Sequence, residues 1–257
     1  MKTTLITGAS SGIGKETAFV YAKNNYNLIL VARRLENLEN IKAEIEQKYQ
    51  VKVSVFSMDL SQLKSAEALY KKVSDANLTV DVLINNAGFG IYKEFAESDI
   101  EKEEQMLLLN MVTLTKLTKL FIPNMIKKGS GNIVNIASAA AFQPIPTLAT
   151  YAATKAYVMS FSEAIAFELK DKNIIVTVIC PGATKSEFGT TAGYSENSKV
   201  FKGIPTSKDL AEFIYKSMIK GKTNAIHGFK NNFLTLMGRT APRKMLTYIA
   251  YKIMNKK

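Results

Sequence analysis

A chain of 257 residues with 47% hydrophobic and 22% charged residues has the length of one large α/β domain and enough apolar content for a sizeable core. A single cysteine, Cys180, excludes an internal disulfide and suits a reducing, cytoplasmic setting; with one histidine, His227, and no cysteine pair, no metal site is expected. The formal charge of +12 resides in the tail, where residues 199–257 hold 13 Lys/Arg against Asp209 and Glu212, so no nucleic-acid partner is expected from a globally basic surface.

Strand-like and helical patterns then alternate along the chain. TTLIT (3–7), NLILVA (27–32), VKVSVFS (51–57), DVLIN (81–85), NIVNIAS (132–138), IIVTVIC (174–180) and NAIHG (224–228) read as strands. Most are continuous apolar runs, which predicts strands buried on both faces. Helices are expected at about 12–24, 35–49, 61–76, 97–128 and 150–171, with Ser61 as an N-cap for the third and Pro123 kinking or shortening the fourth. No apolar run of about 18 residues stands out as a spanning helix, and MKTTLITG has no signal-peptide plan. The alternation predicts a doubly wound, Rossmann-type parallel sheet of about seven strands. It forms a single domain over 1–257, ending in a basic amphipathic extension over 228–257.

The first strand runs directly into TGASSGIG, in which Gly8, Gly12 and Gly14 straddle the turn into a helix. Glycine permits positive φ and close approach of the backbone, and the helix N-terminus offers N–H donors and partial positive charge, so the turn reads as a phosphate cradle. The spacing is neither GxGxxG nor a P-loop. The second strand ends Val31-Ala32-Arg33-Arg34, with no acid before Glu36. An acid there would accept from a ribose, whereas an arginine fork suits a 2′-phosphate; the arginines otherwise read as surface charges opening a helix. Farther on, YAATK sets Tyr151 and Lys155 four residues apart, on one helical face. A cation beside a phenol favours the phenolate and would lower its pKa toward a usable acid/base range, although the pair alone also fits a solvated helix.

Four ordered motifs carry a resemblance to the short-chain dehydrogenase/reductase family over about residues 3–228. Thr7 to Gly14 resembles the family's TGxxxGxG turn, and Asn85-Asn86-Ala87-Gly88 its NNAG motif. Ser138 with Tyr151-x-x-x-Lys155 matches the catalytic set, and Pro181-Gly182 the PG that closes the sixth strand. The resemblance implies NADP(H)-linked oxidoreduction of a carbonyl or alcohol, NAD(H) being disfavoured by the arginines. Tyr151 would be the acid or base, Lys155 its tuner and ribose holder, and Ser138 the donor to the substrate oxygen. Asn110 would anchor a water and lysine relay, or else be a helix-interior amide with a local partner. Cofactor contacts would come from Gly8, Ser10, Ser11, Gly12, Ile13, Gly14, Arg33, Arg34, Asp59, Leu60, Asn86, Ala87, Gly88, Tyr151, Lys155, Pro181, Gly182 and Thr184. Asp59 has a second reading as a helix cap. Many NADP-dependent members carry a basic residue within the glycine motif, where this chain has Ser10 and Ser11.

Apolar loops beyond the strand ends, with Phe89, Phe142 and Phe188 and also Tyr194 and Phe201, favour a hydrophobic carbonyl substrate such as a 3-oxoacyl chain over a sugar; each aromatic also fits the core or a subunit interface. The alternative function is a non-catalytic dinucleotide-binding or interaction protein that kept the fold. Family likeness implies a homo-oligomer, a dimer or tetramer. In the tail, Met245, Leu246, Ile249, Ala250 and Ile253 form one arc with Lys244, Thr247 and Lys252 largely opposite. That pattern suits a helix on an anionic membrane surface, or one packed on its own subunit or a neighbour.

Overall fold

The computed structural model describes residues 1–185, 187–192, 204–228, 231–232, 235 and 241–254, the side chains of Thr190 and Thr191 excepted. Seven strands form one parallel sheet: β1 (Thr3–Thr7), β2 (Asn27–Ala32), β3 (Val53–Ser57), β4 (Val82–Asn85), β5 (Gly131–Ile136), β6 (Ile174–Cys180) and β7 (Asn224–Ile226), in the order β3-β2-β1-β4-β5-β6-β7. Neighbouring residues feed opposite faces. Leu28 and Leu30 enter one core cluster, and Ile29 and Val31 the other. Continuous apolar strands result, since each side chain meets a helix layer whichever way it points.

On one face lie α1 (Gly12–Lys23), α2 (Leu35–Lys48) and α8 (Ser207–Ile219); on the other lie α3 (Ser65–Asp75), α5 (Leu114–Lys128) and α6 (Ala149–Leu169). A shorter α4 (Ile100–Leu107) precedes α5, α7 is Phe188–Ala192, and α9 is Arg243–Met254. In α2, Leu38, Ile41 and Ile45 form the buried stripe that its helical periodicity announces. The strand order reverses at β1 and β4, where the connections leave toward opposite edges and open a crevice at the carboxyl ends.

Several sequence expectations change. The third helix begins at Ser65 and not Ser61, because Ser61 closes a turn on Asp59 and Lys64 takes a left-handed conformation at φ 63°. The 97–128 segment is interrupted far from Pro123. A π-helical turn over Leu108–Thr113 separates α4 from α5, which then runs through Pro123 to Gly129. A π turn inserts one residue into the helical register and re-aims side chains; here it turns Asn110 inward, to 1% exposure.

Ile100–Lys128 is long and apolar enough to cross a membrane. Met106, Leu117, Phe121 and Met125 are nevertheless buried in the core, so the stretch serves the fold as a core helix. Helix α8 was not expected at all. Its start carries a capping box, with Thr206 accepting from the Asp209 N–H and Asp209 from the Thr206 N–H, and this TxxD pattern was legible in the sequence.

Candidate active site

At the carboxyl end of β1 the chain turns through Gly8 (φ +68°) and Gly12 (φ +53°), conformations that suit glycine. A Cβ on Gly14 would collide with the Gly8 carbonyl oxygen and lie 2.6 Å from Asn86 Nδ2, so helix α1 can sit this close to the turn only with glycine there. Asn86 stitches the turn to the end of β4, its side-chain amide donating to Thr7 O (2.9 Å) and Gly8 O (3.3 Å). The N–H groups of Asn86 and Ala87 both donate to Thr7 Oγ1 at 3.0 Å. Asn85 is wholly structural: its amide bonds Asn135 and Thr118 beneath the crevice.

A cavity of about 700 Å³ opens over these strand ends. Its lining includes Gly8, Ser10, Ser11, Gly12, Ile13, Gly14, Arg33, Arg34, Asp59, Leu60, Asn86, Ala87 and Gly88, which brings most of the expected cofactor set to one crevice. Pro181, Gly182 and Thr184 stand apart from that lining; Thr184 Oγ1 donates to Gly182 O at 3.1 Å. Arg34 stretches over the glycine turn, donating to Ser10 Oγ and Ser11 Oγ, with Nη2 at 2.8 Å from Ser11. Asp59 lines the cavity but caps no helix: its Oδ1 accepts from the Ser61 N–H and hydroxyl in a turn that ends before α3 begins at Ser65. Burial would raise its pKa, but those hydrogen bonds and the Arg33 charge outweigh it and hold the carboxyl below its ordinary value. The cradle thus fits a dinucleotide. Its glycines leave room for a pyrophosphate at the N-terminus of α1, and Arg34 offers a fork to a further phosphate.

Beside the cavity, α6 presents Tyr151 and Lys155, 8% and 5% exposed. Tyr151 is hydrogen-bonded to the Ser138 side chain. Lys155 Nζ donates to Ile136 O at 2.8 Å, and its ammonium lies 5.7 Å from the Tyr151 ring centre. Asn110 Oδ1 accepts from the Phe89 N–H (3.2 Å), while its amide donates to Phe89 O (3.0 Å) and Thr154 Oγ1 (3.1 Å). That amide therefore has the local partners of its structural reading. A Cβ on Gly88 would stand 2.9 Å from Asn110 Oδ1 and 3.5 Å from Lys155 Nζ, so this glycine, the amide and the ammonium gather at one point.

The tuning of Tyr151 differs from the sequence expectation. Burial pushes the phenol up to about 12, and the Ser138 hydrogen bond only partly opposes it. Burial also brings Lys155 down to about 8. With both groups this dry, desolvation exceeds the effect of the cation on the phenol.

Phe188 packs on Tyr151 with ring centres 5.3 Å apart, and Phe89, Ile91, Tyr92, Ile145 and Met254 pack against the same cluster. Phe142 is a correction. It packs against the cluster of Leu114, Val158 and Cys180, which contains neither Tyr151 nor Phe188, so it leaves the pocket wall for the core. Tyr194 and Phe201 lie outside the described residues. Sequence reasoning missed Glu187 and Lys102, which line the cavity. Neither belongs to a quoted motif, and a lone charge in a loop or helix gives no signal until the fold places it.

The model for short chain dehydrogenases matches residues 2–197. The chain is 34% identical over 220 residues to an NADP-dependent 3-hydroxy acid dehydrogenase of Schizosaccharomyces pombe, covering 83% of this chain and 85% of that protein. It is 35% identical over 215 residues to a very-long-chain 3-oxoacyl-CoA reductase of Vanderwaltozyma polyspora, covering 79% of this chain but 60% of that longer one. Among solved structures, a short-chain dehydrogenase from Sphingobium yanoikuyae in complex with NADPH superposes with a TM-score of 0.84 at 29% identity, covering 96% of this chain and 95% of that one. With the parallel sheet, the glycine cradle and the Ser138–Tyr151–Lys155 cluster already in place, these likenesses make the chain a member of the short chain dehydrogenase family, an oxidoreductase of carbonyl and alcohol groups that works with NAD(P).

Proposed function

We propose that the protein reduces apolar carbonyl compounds, 3-oxoacyl chains foremost, with NADPH. The observation that carries this reading is the cavity wall beside Tyr151, where Phe89, Ile91 and Phe188 line the cavity and pack against the Tyr151 cluster, offering an alkyl chain apolar surface beside the proton donor. The names of the two relatives, one acting on 3-hydroxy acids with NADP and one on 3-oxoacyl-CoA, agree with it. Arg34 over Ser10 and Ser11 supports the choice of NADP(H), its fork suiting a 2′-phosphate.

The reduced nicotinamide supplies the hydride. Ser138 donates to the carbonyl oxygen and stabilises the charge that develops there, and Tyr151 delivers the proton from its hydroxyl. Lys155 would hold the ribose and contributes positive charge beside Tyr151, while Asn110 fixes the Phe89 backbone next to the reacting centre. A phenol at about 12 is a poor acid or base at neutral pH, so Tyr151 would need the positive charge that an oxidised nicotinamide would supply beside it to act in the oxidative direction.

Steady-state oxidation of NADPH across ketones, aldehydes and 3-oxoacyl thioesters of increasing chain length, with NADH as control, tests the reading. Rising kcat/KM with chain length is expected. Absence of NADPH oxidation on the whole panel would favour the non-catalytic dinucleotide-binding alternative.

The protein also works at a membrane surface in this reading, in a reducing cytoplasm that suits the buried Cys180. Among the described residues, only one flank of the apolar arc of α9 is covered: Ala250 is buried and Met254 packs toward Tyr151, whereas Met245, Tyr248, Ile249 and Ile253 are exposed. Lys244 and Lys252 flank them, and no acid follows Glu212 in the sequence. A second copy would bring the same positive charge to this face, whereas an anionic bilayer complements it. Co-sedimentation with phosphatidylserine vesicles should be strong at low salt, weak at high salt, and lost in the double variant Ile249→Asp/Ile253→Asp. Salt-insensitive binding, or none, overturns the membrane part alone. Self-association is assigned to the exposed apolar side chains of α5 and α6, Ile126 and Phe167 among them.

A further inference from the structure

The loop after β6 brings a carboxylate to the mouth of the cofactor cavity. Glu187 Oε2 lies 2.8 Å from Arg34 Nη2, and the two side chains are 58% and 47% exposed. The same Nη2 also donates to Ser11 Oγ at 2.8 Å and Ser10 Oγ at 3.2 Å, and Glu187 is hydrogen-bonded to Ser11 as well. Arg34, Ser10, Ser11 and Glu187 all line the one cavity, and Arg33, which also lines it, has the Asp59 carboxylate near by. The Arg34 fork suited to a phosphate is therefore already shared between two hydroxyls and an anion. A phosphate arriving on Arg34 and a carboxylate on the same nitrogen would repel each other, so one displaces the other or both bind less well.

We propose that Glu187 holds the 2′-phosphate's place on Arg34, and so sets how strongly the protein prefers NADP(H) over NAD(H). The carboxylate satisfies Arg34 when no phosphate is present and yields to it, at a cost in affinity that a dinucleotide lacking the 2′-phosphate does not incur. Glu187 is thus a specificity-determining residue that acts through Arg34 and not a catalytic one. The inference rests on the NADP(H) reading above and adds a named competitor to it.

The test is equilibrium binding to the full chain of NADPH and NADH by nicotinamide fluorescence, and of 2′,5′-ADP and 5′-AMP by competition. Wild type, Glu187→Gln, Arg34→Ala and the double variant are compared. Glutamine keeps the shape and removes the charge, and the position is exposed, so folding is preserved; melting temperatures check this. Exposed ion pairs are weak, so Glu187→Gln should tighten NADPH and 2′,5′-ADP by about fivefold while NADH and 5′-AMP move by less than about twofold. In the Arg34→Ala background the Glu187→Gln effect should vanish, as expected for residues coupled through one contact.

Equal tightening of both dinucleotides, no change, or weaker NADPH binding in Glu187→Gln overturns the proposal. If wild type prefers NADPH and Glu187→Gln does not alter that preference, this inference fails and the NADP(H) reading stands. If wild type binds NADH as tightly as NADPH, both fall.

Discussion

Replacing Tyr151 with Phe lowers turnover by about 10²–10⁴-fold, the range that a positioned general acid contributes, while NADPH affinity stays within about twofold. The change deletes one hydroxyl and leaves the packing. The ring still meets Phe188 at 5.3 Å between centres, and the close fit against Gly90, where a Cβ would lie 3.1 Å from Tyr151 Cδ2, is unaltered. What disappears is the oxygen hydrogen-bonded to Ser138, at the place where a proton must be delivered. Steady-state kinetics and a fluorescence titration read the two quantities separately. Near-normal turnover in Tyr151→Phe assigns the proton to another group.

Lys155→Met gives a two-part result, a loss of activity together with a gain in the stability of the cofactor-free protein at neutral pH. The folded protein holds Lys155 at about 8 against an ordinary 10.5, because burial penalises the ammonium. Below pH 8 the lysine is charged in both states and the penalty acts in full, worth about 3 kcal/mol. Between about pH 8 and 10.5 the unfolded chain keeps a proton that the folded one has released, so the wild type gains stability as pH rises through that window. Methionine removes the penalty but leaves the Ile136 carbonyl without its 2.8 Å donor. A net gain of about 1–2 kcal/mol at pH 7 remains, shrinking toward pH 10.5. Thermal denaturation of both proteins across this pH range checks the sign; a gap that widens as pH rises contradicts it. The activity loss has a separate cause, since the ammonium stands beside both Tyr151 and the Gly88–Asn110 corner.

Legibility in the sequence followed the physics of each feature. β1, β2 and β6 were readable to the residue, because strands buried on both faces leave continuous apolar runs that glycine turns or charged helices end abruptly. The glycine cradle and the Tyr151–Lys155 face were readable because close approach and helical spacing each demand a fixed residue type at a fixed interval. The π turn at Asn110 was not readable. Its residues, LLNMVT, continue an apolar helical pattern, and the inserted residue is set by tertiary contacts with Phe89 and Thr154. Nor was the rise in the Tyr151 pKa, since a sequence shows the neighbouring cation but not the burial that outweighs it. Phe142 shows the limit for aromatics: loop position suggested a pocket, while packing gave it to the core. Glu187 lies 153 residues from Arg34 in the chain, and their pairing exists only in the fold.

In the proposed reaction, hydride from NADPH and a proton from Tyr151 meet on an apolar carbonyl. Mass spectrometry of the alcohol formed from a medium-chain 3-oxoacyl thioester and NADPH deuterated at the nicotinamide C4 tests it most directly. One deuterium on the new carbinol carbon is expected with wild type from the deuteride labelled on the transferred face, and almost no product with Tyr151→Phe under the same conditions. Unlabelled alcohol from both face-selective deuterides, or equal yields from the two proteins, would contradict it.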